Sequence, residues 1–387
     1  MGYGIQVSNE KYDSLAYSDQ IINLTLQEAI GNFLPTFSMT FIDNDFDKLN
    51  YLNEKSPITI AYQMNEHMVS GEFIIKPVNP QYTSDTYTVA LGGYLNKFNY
   101  FKGRSAVPYV EGTSVDALLA LGQSYFGESN TLVTSGIYDL ENNKSKTDDN
   151  MIWLHNGKNA RNFVQEVWKH SYSPESLILL GIDLDGMFKI FDLATLISQE
   201  PKYMFCDTYE EGYEVYADCN VTDNSTGNTT MYGYTSERAI LMEGDLQTVN
   251  SSVSPQVVMN TSTQMNESEM PVRQLTPMFQ TSNVHKHWYE AYHQNFVRWS
   301  SLNNNTLKLT VLNNLLPLNI MDLIYVRFPQ NSKVGRTTDG NFIISQKKLI
   351  FDNIGNVTTE YIGIREVSQS VNTAQNQESR HIVPYNI

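Results

Sequence analysis

Two short motifs occur twice in this chain, in the same order and near its opposite ends, and this recurrence constrains the fold more than any other feature. The pentapeptide Gly-x-Phe-Ile-Ile stands at 71–75 and again at 340–344. A tetrapeptide precedes each copy, Asn-Phe-Leu-Pro at 32–35 and Asn-Leu-Leu-Pro at 314–317. Such recurrence predicts one small module used twice. Matches this short also arise by chance, and that alternative stays open.

Each pentapeptide begins a predicted β-hairpin. In the second copy, a turn at 353–356 rich in asparagine and glycine leads into a return strand that ends near Ile364. Glycine and asparagine supply the positive φ angles that tight turns need. Alternation of apolar and polar residues predicts further strands at 36–41, 58–62, 87–91, 307–311 and 324–328. Short strands at this spacing favour small antiparallel barrels.

The middle of the chain has a pattern that predicts an α+β domain. Ser114 is placed to cap a helix that Gly127 ends, and Asn159 is placed to cap a second helix. Two apolar runs around an Asp-Gly turn at 185–186 predict a hairpin over 177–191.

A further helix is predicted over 283–302 by an aromatic stripe at helical spacing. The stripe consists of Trp288, Tyr292, Phe296 and Trp299. Aromatic stripes of this kind usually face a core, and a contact between subunits is the alternative.

Composition excludes several classes of function. The net charge of −16 argues against ordinary binding to a phosphate backbone. Two cysteines, Cys206 and Cys219, are too few for a disulfide framework, and we interpret both as buried thiols. No signal peptide is visible at the N-terminus, and the longest apolar run, at 177–182, is too short to span a membrane. No stable membrane association is therefore expected.

The sequence predicts no catalytic, cofactor-binding or metal site. Nucleotide-binding, hydrolase and metalloprotease motifs are missing, and a pair of glycosidase carboxylates stays open because such residues need not be neighbours in sequence. Three groups come nearest to metal sites. A hairpin turn at 183–186, an exposed acidic turn and surface histidines explain them better; the last two groups are Asp43, Asp45 and Asp47, and His285, His287 and His293.

The C-terminal end combines a polar stretch, 368–380, with an apolar peptide, 381–387. A flexible tether that ends in an apolar peptide is suited to docking on a partner. The candidate interface residues are Val383, Pro384, Tyr385 and Ile387. A disordered or self-packed terminus is the alternative.

Taken together, the order of these features resembles the central baseplate hub protein of contractile-tailed bacteriophages, the family of the T-even phage hub. It is also similar to the hub portion of type VI secretion spike proteins. The segments that carry the resemblance are Gly103-Arg104, Pro108, the helix at 114–126, Trp153, the helix at 159–170, the hairpin at 178–191, the segment 197–204, the aromatic helix at 285–300 and the strands through Ile364.

The resemblance implies a mainly β, α+β chain with two similar small antiparallel barrels, which assembles as a ring-shaped homotrimer. Three chains with two barrels each would adapt a six-fold tail tube to a three-fold central spike. The implied domains are a first barrel (1–105), an α+β domain (106–202), a second barrel (203–246 and 301–367), an inserted domain with the aromatic helix (247–300) and a tail (368–387). The loops at 220–230 and 247–268 depart from the family pattern, and no spike or lysozyme-like domain is fused here.

The function implied is that of a non-enzymatic structural hub without a cofactor. Its expected partners are the spike, the tail tube and other baseplate proteins, with DNA passing only transiently through the lumen. The expected location is the virion baseplate, after assembly in the host cytoplasm. An acidic lumen would repel DNA phosphates. The alternative is a β-rich tail protein that binds or degrades carbohydrate through its aromatic side chains.

Overall fold

The structure, a computed structural model, describes residues 5–12, 20–43, 52, 56–64, 67–76, 79–83, 86–97, 100, 107–155, 159–174, 176–223, 236–241, 247–252, 273–274, 284–303, 305–329, 339–353 and 355–365. The strands, in chain order, are β1 (Ile5–Ser8), β2 (Ile21–Ile30), β3 (Thr36–Asp43), β4 (Pro57–Met64), β5 (His67–Ile75), β6 (Asn79–Thr83), β7 (Thr86–Leu95), β8 (Tyr109–Gly112), β9 (Thr131–Val133), β10 (Tyr138–Asp139), β11 (Lys144–Ser145), β12 (Met151–Leu154), β13 (Ile178–Ile182), β14 (Phe188–Asp192), β15 (Tyr203–Cys206), β16 (Glu214–Val215), β17 (Asp218–Asp223), β18 (Ser236–Leu241), β19 (Gln247–Ser252), β20 (Arg273–Gln274), β21 (Asn305–Leu312), β22 (Leu323–Val326), β23 (Gly340–Asp352) and β24 (Val357–Arg365). The helices are α1 (Ser114–Phe126), α2 (Ala160–Lys169), α3 (Leu193–Ser198) and α4 (Trp288–Leu302), with a short 3₁₀ turn at Glu128–Asn130.

Seven strands form one continuous antiparallel path across the molecule, in the order β7, β3, β2, β23, β24, β21 and β17. The path belongs to a larger network of 17 hydrogen-bonded strands. Its joint is the pairing of β2 with the second half of β23, where Asn23 lies opposite Asp352 and Ala29 lies opposite Gln346. Strands from the two ends of the chain therefore share one sheet.

The same five-strand arrangement occurs on both sides of this joint. We call β2, β3, β4, β5 and β7 the first unit, and β17, β21, β22, β23 and β24 the second unit. The strand order in the first unit is β2-β3-β7-β5-β4. The order in the second unit is β17-β21-β24-β23-β22. Each strand of one unit thus has a counterpart in the other.

The residue register of the two units is also the same, so the module repeat predicted from the pentapeptides is confirmed. Equivalent pairs are Leu24–Met39 and Cys219–Leu309, Phe37–Gly93 and Leu307–Gly363, Ile58–Phe73 and Ile324–Phe342, and Ile75–Gly93 and Ile344–Gly363. Both pentapeptides occupy the same place in their units, because the last residue of each lies opposite a glycine, Gly93 of β7 or Gly363 of β24.

One sequence-based expectation about the units is wrong, and a second, the closed barrel, is not confirmed. The tetrapeptide at 32–35 precedes β3, whereas the one at 314–317 follows β21, the counterpart of β3, so that resemblance is coincidental. The described strands also form no closed barrel. The physical reason is that the outer edge of β2 pairs with β23 of the second unit. Closure of a barrel would require that edge to pair with a strand of the first unit.

The α+β part packs against both units. Its hairpin β13–β14 pairs with the end of β2 and, in parallel, with β9. The cap of α1 is Thr113 and not Ser114, because the Thr113 hydroxyl accepts from the Asp116 N–H while the Asp116 carboxylate accepts from the Thr113 N–H. Asn159 caps α2 as predicted, since its side chain accepts from the Asn162 N–H.

Buried apolar side chains form two core clusters. One lies beneath the first unit, α1 and α2 and includes Phe41, Phe73 and Trp153. The other lies beneath the second unit and α3 and includes Phe205 and Phe342. Within the described part of the chain, no helix has the length and apolarity needed to cross a membrane.

Candidate functional site

The outermost strands of the sheet path offer backbone edges to another chain. In the described structure β17 pairs only with β21, and β6, beyond the other end of the path, pairs only with β7. The core-facing side chains of β17, Cys219 and Val221, are half-buried, whereas their counterparts in β2, Leu24 and Leu26, are fully buried. Among the described strands, none covers the outer edge of β17 as β23 covers that of β2.

In the part of the chain that the structure describes, the core layers pack on one face of the seven-strand path, and the other face is open. Side chains that alternate with the core residues line this open face, and most carry hydroxyl or amide groups. They include Ser38, Thr40, Thr25, Gln27, Thr358, Thr310, Asn220 and Thr222. The face is therefore polar but sparsely charged along the first unit.

The charged groups of the open face are grouped on the second unit. The Glu360 carboxylate lies 3.4 Å from Lys308 Nζ and 3.7 Å from Lys348 Nζ. Asp218 and Asp352 lie at the borders of the same face. Among the described side chains of this face, two lysines and three carboxylates nearly balance, so this part of the face is neither strongly basic nor strongly acidic.

A buried polar cluster joins the first unit, the α+β part and the second unit. The Glu28 carboxylate of β2, 1% exposed, accepts from the Leu184 N–H at 2.5 Å and from the Ile320 N–H at 3.0 Å. Burial raises the pKa of the Glu28 carboxyl, and the charge of Lys347 opposes that rise. One side chain thus satisfies backbone donors from two other parts of the chain.

Two buried lysines complete this junction, which comprises Glu28, Asp183, Lys189, Asn319 and Lys347. Lys189 forms a buried ion pair with Asp183, with 2.9 Å between Nζ and Oδ2, and donates to the Ile320 carbonyl at 3.2 Å. Lys347 donates to the Asn319 side chain at 3.1 Å. Because its two carboxylates and two ammonium groups are all buried and balanced, the junction fixes the parts relative to one another.

Helix α4 is attached to the α+β part by stacked aromatic rings. The ring of His170, at the end of α2, lies 3.6 Å from the Trp288 ring at an angle of 7°, and its Nδ1–H donates to the Trp288 carbonyl at 3.1 Å. Burial lowers the pKa of His170 to about 4, so the imidazole is neutral at pH 7. The aromatic stripe therefore contributes to a core through Trp288, as predicted.

A single arginine adds a second attachment of α4. Arg298 is 3% exposed, and its guanidinium donates to the carbonyls of Ser173, Pro174 and Ser176. The planar fork of five donors suits such a cluster of carbonyls, which a lysine could not reproduce. The loop that leads into β13 is thereby held against α4.

A cavity of about 580 Å³ opens beside the end of β2. Phe33, 55% exposed, forms part of its wall, and the Arg161 guanidinium lies 5.4 Å from the centre of the Phe33 ring. A smaller cavity of about 220 Å³ lies between α2 and α4 and is lined by Trp168, Tyr292 and Trp299. Among the described residues that line the smaller, aromatic cavity, none is a carboxylate.

The groups considered as metal sites are placed differently from what the sequence suggested. His285 is buried, with Nε2 2.9 Å from the His170 carbonyl, so its assignment to the surface is wrong. Asp43 is buried at the end of β3, so its assignment to an exposed turn is also wrong, whereas Asp45 and Asp47 lie outside the described residues. Asp183 closes the hairpin turn as predicted and accepts from the Met187 N–H. Among the described residues, no three potential metal ligands gather.

The remaining site predictions have mixed outcomes. Both cysteines are free thiols, but only Cys206 is fully buried. The candidate interface at Val383, Pro384, Tyr385 and Ile387 lies outside the described residues and stays a prediction. Sequence reasoning missed Glu28, although a signal was present, because Glu28 follows Leu24 and Leu26 on the core-facing side of an alternating strand.

The fold is similar to that of solved phage tail proteins. Superposition on a tail protein from Neisseria meningitidis MC58 gives a TM-score of 0.59 at 12% sequence identity, over 94% of this chain and 97% of the other. The 43 kDa tail protein of prophage MuSo2 from Shewanella oneidensis gives 0.59 at 10% identity, over 94% and 98%. No protein-family model and no curated protein matches the sequence. The likeness concerns the fold, and the expected tail-protein fold is confirmed.

Proposed function

We propose that this chain is a structural hub at the tip of a phage tail or of a related injection machine, where three copies form a ring. The observation that carries this proposal is the duplicated unit, with matching strand order and register on both sides of one joint. Three such chains would present six equivalent units to a six-fold tail tube. The parts that differ between the units would repeat three times and meet a three-fold spike.

In this proposal the open face of the sheet lines the channel, and the packing of the α+β part supports that assignment. The α+β part lies on the core side of the sheet, where its Leu184 N–H contacts Glu28 of β2. A sheet closed into a ring has more room outside than inside, so the packed layers would lie outside. The open face would then surround the passing DNA, and its hydroxyl groups and balanced charge would offer phosphates little attraction. This replaces the acidic lumen of the sequence-based hypothesis with a nearly neutral one.

The partners in this proposal are the spike, the tail tube and other baseplate proteins, and the chain acts without catalysis. It would assemble in the host cytoplasm and remain in the virion. The apolar peptide 381–387 would grip a neighbouring protein. Its deletion should reduce incorporation of the hub into tails, and unchanged incorporation would refute a role for Val383, Pro384, Tyr385 and Ile387.

Mass measurement in solution, combined with negative-stain imaging, tests the ring. We expect a species of three times the 44.1 kDa chain mass, with a central opening, alone or after addition of the spike protein. A stable monomer that forms no ring even with the spike present would overturn the proposal.

A further inference from the structure

The joint between the two units of the chain has an unused counterpart. Within the chain, β2 of the first unit pairs along its outer edge with the second half of β23 of the second unit. The strand equivalent to β2 in the second unit is β17. The strand in the first unit that is equivalent to the second half of β23 is β6. Its residue Asn79 pairs with Ala90 of β7, and the equivalent residues of the second unit, Lys348 of β23 and Glu360 of β24, also pair. In the described structure β17 and β6 both have an outer edge without a partner strand.

The backbone groups on both edges point outward at matching positions. The Gly92 carbonyl accepts from the Lys76 N–H, so it points to the edge of β7 where β5 and β6 lie. Backbone groups alternate between the two edges of a strand, and those of Ala90, two residues earlier, therefore point towards Asn79 of β6. The backbone groups of Pro80 and Tyr82 therefore point away from the sheet. Pro80 has no N–H to donate, so a strand added at this edge would pair with the N–H and carbonyl of Tyr82 and with the carbonyl alone of Pro80.

The same reasoning applies to β17. The Asn313 N–H donates to the Val357 carbonyl, so the alternate residues of β21 that include Thr310 and Lys308 face β17. Their partners, Asp218 and Asn220, face inward, which leaves the backbone groups of Cys219 and Val221 free to pair with another strand.

We propose that β17 of one copy pairs antiparallel with β6 of the next copy, in the register that places Cys219 opposite Tyr82 and Asn220 opposite Gln81. This register transfers the Leu24–Phe351 and Thr25–Ile350 pairs of the internal joint onto the equivalent strands. The inference rests on the proposed ring and names its interface. Each joint, internal or between copies, then continues the same sheet, so a closed ring leaves neither edge exposed.

Two observations support this occupant over an unrelated partner. The half-burial of Cys219 and Val221 contrasts with the full burial of Leu24 and Leu26, which β23 covers. A second copy supplies β6, the strand that is equivalent to the second half of β23. The pairing is heterologous, because different edges meet, and such an interface generates a ring when its rotation closes.

A cysteine pair tests the register directly. In the proposed ladder Asn220 and Gln81 form a non-hydrogen-bonded pair, whose Cα atoms lie about 4.5 Å apart, within disulfide range. The variant carries Asn220→Cys and Gln81→Cys together with Cys219→Ala. On oxidation by copper-phenanthroline and oxygen, two thiols on neighbouring copies lose two electrons and two protons and form one disulfide. Denaturing gels without reductant should then show bands of two and three linked chains.

The controls separate this inference from the proposed ring. A pair of Asn220→Cys with Ser70→Cys, on the exposed side of β5, should give no such bands. A mixture of the two single variants, Asn220→Cys and Gln81→Cys, should give two-chain bands only between different variants. If the parent chain forms a ring but the designed pair does not link, the strand pairing is wrong and the hub stands. If the parent chain forms no ring, both fail.

Discussion

At the scale of single residues, the buried carboxylate of Glu28 does the most to connect the parts of the chain. It accepts one backbone N–H from the α+β part and one from the second unit. Removing it leaves two buried donors unpaired and leaves Lys347 without its opposing charge. We expect Glu28→Ala to lower the free energy of unfolding by about 3 kcal/mol.

Urea denaturation measures this loss, and the neighbouring position supplies the control. Gln27→Ala removes a half-exposed side chain of the same strand and should change the free energy of unfolding by less than about 0.5 kcal/mol. Equal losses in the two variants would show that the junction contributes nothing beyond the strand itself.

A second residue-scale prediction concerns pH. Because burial lowers the pKa of His170 from 6.5 to about 4, the unfolded chain binds this proton more tightly than the folded chain. The stability contributed by the neutral imidazole is therefore fully present above pH 6.5 and is lost as the pH falls towards 4. Between pH 6.5 and 5, His170→Phe should reduce the loss of unfolding free energy by roughly 2 kcal/mol.

Phenylalanine keeps a flat ring beside Trp288 but takes up no proton, so the comparison isolates the titration. The informative quantity is the difference between the unfolding free energies at pH 7 and pH 5, in the parent and in the variant. An identical difference in both chains would contradict the assignment.

At this scale the sequence predicts local features better than buried polar ones. Asn159 was identified as a cap because capping depends on residues within one turn of helix. Thr113 was missed only because Ser114, one residue later, is an equally good cap type. The burial of His285 could not be predicted, since it depends on Trp153 and His170, which are distant in sequence.

At the scale of strands, the paired glycines show how the two units pack alike. A Cβ on Gly93 would lie 2.1 Å from the Ile74 carbonyl oxygen and 2.4 Å from Phe37 Cε1. Backbone cannot yield at such a distance, so Gly93→Ala should destabilise the chain by about 3 kcal/mol or more. A Cβ on the adjacent Gly92 would meet only the Phe37 carbonyl, at 3.6 Å, which is an ordinary contact.

Gly92→Ala is therefore a matched control, one residue away on the same strand. We expect its melting temperature to remain within a few degrees of the parent, since a substitution without a clash costs little. Gly363, the counterpart of Gly93, would place a Cβ 2.9 Å from Phe342 Cβ, so Gly363→Ala should also destabilise. Tolerance of both Gly93→Ala and Gly363→Ala would contradict the shared packing.

Strand positions were largely predictable, whereas strand partners were not. Alternation identified β3, β4, β7, β21 and most of β22, because the period-two pattern is written in each strand separately. The choice of β23 as the partner of β2 depends on an edge that lies more than 300 residues away in sequence. Local patterns carry no such information, which is why closed barrels were expected and an extended sheet is found.

At the scale of the whole molecule, the shared sheet and the buried junction should make the described parts unfold together. All four tryptophans, Trp153, Trp168, Trp288 and Trp299, lie in the α+β part or in α4. Tryptophan fluorescence therefore reports on that part alone, whereas pulsed hydrogen exchange at the backbone amides of β3 and β24, read by mass spectrometry, reports on the strands of the two units. The chain thus carries separate probes for its separate parts.

We expect the two probes to give one coincident urea transition in the parent chain, because the parts share a sheet and a charge-balanced junction.

In Lys189→Met the Asp183 carboxylate is left buried without its partner at the contact between the α+β hairpin and the second unit. The fluorescence transition should then occur at lower urea than the hydrogen-exchange transition of β3 and β24. Lys202→Met, which removes the ion pair between the exposed Lys202 and the largely buried Asp322, should leave the two transitions coincident, because a pair with a solvent-exposed partner contributes little. Coincident transitions in Lys189→Met would mean that the sheet alone couples the parts, and separate transitions in the parent chain would mean that neither the sheet nor the junction does.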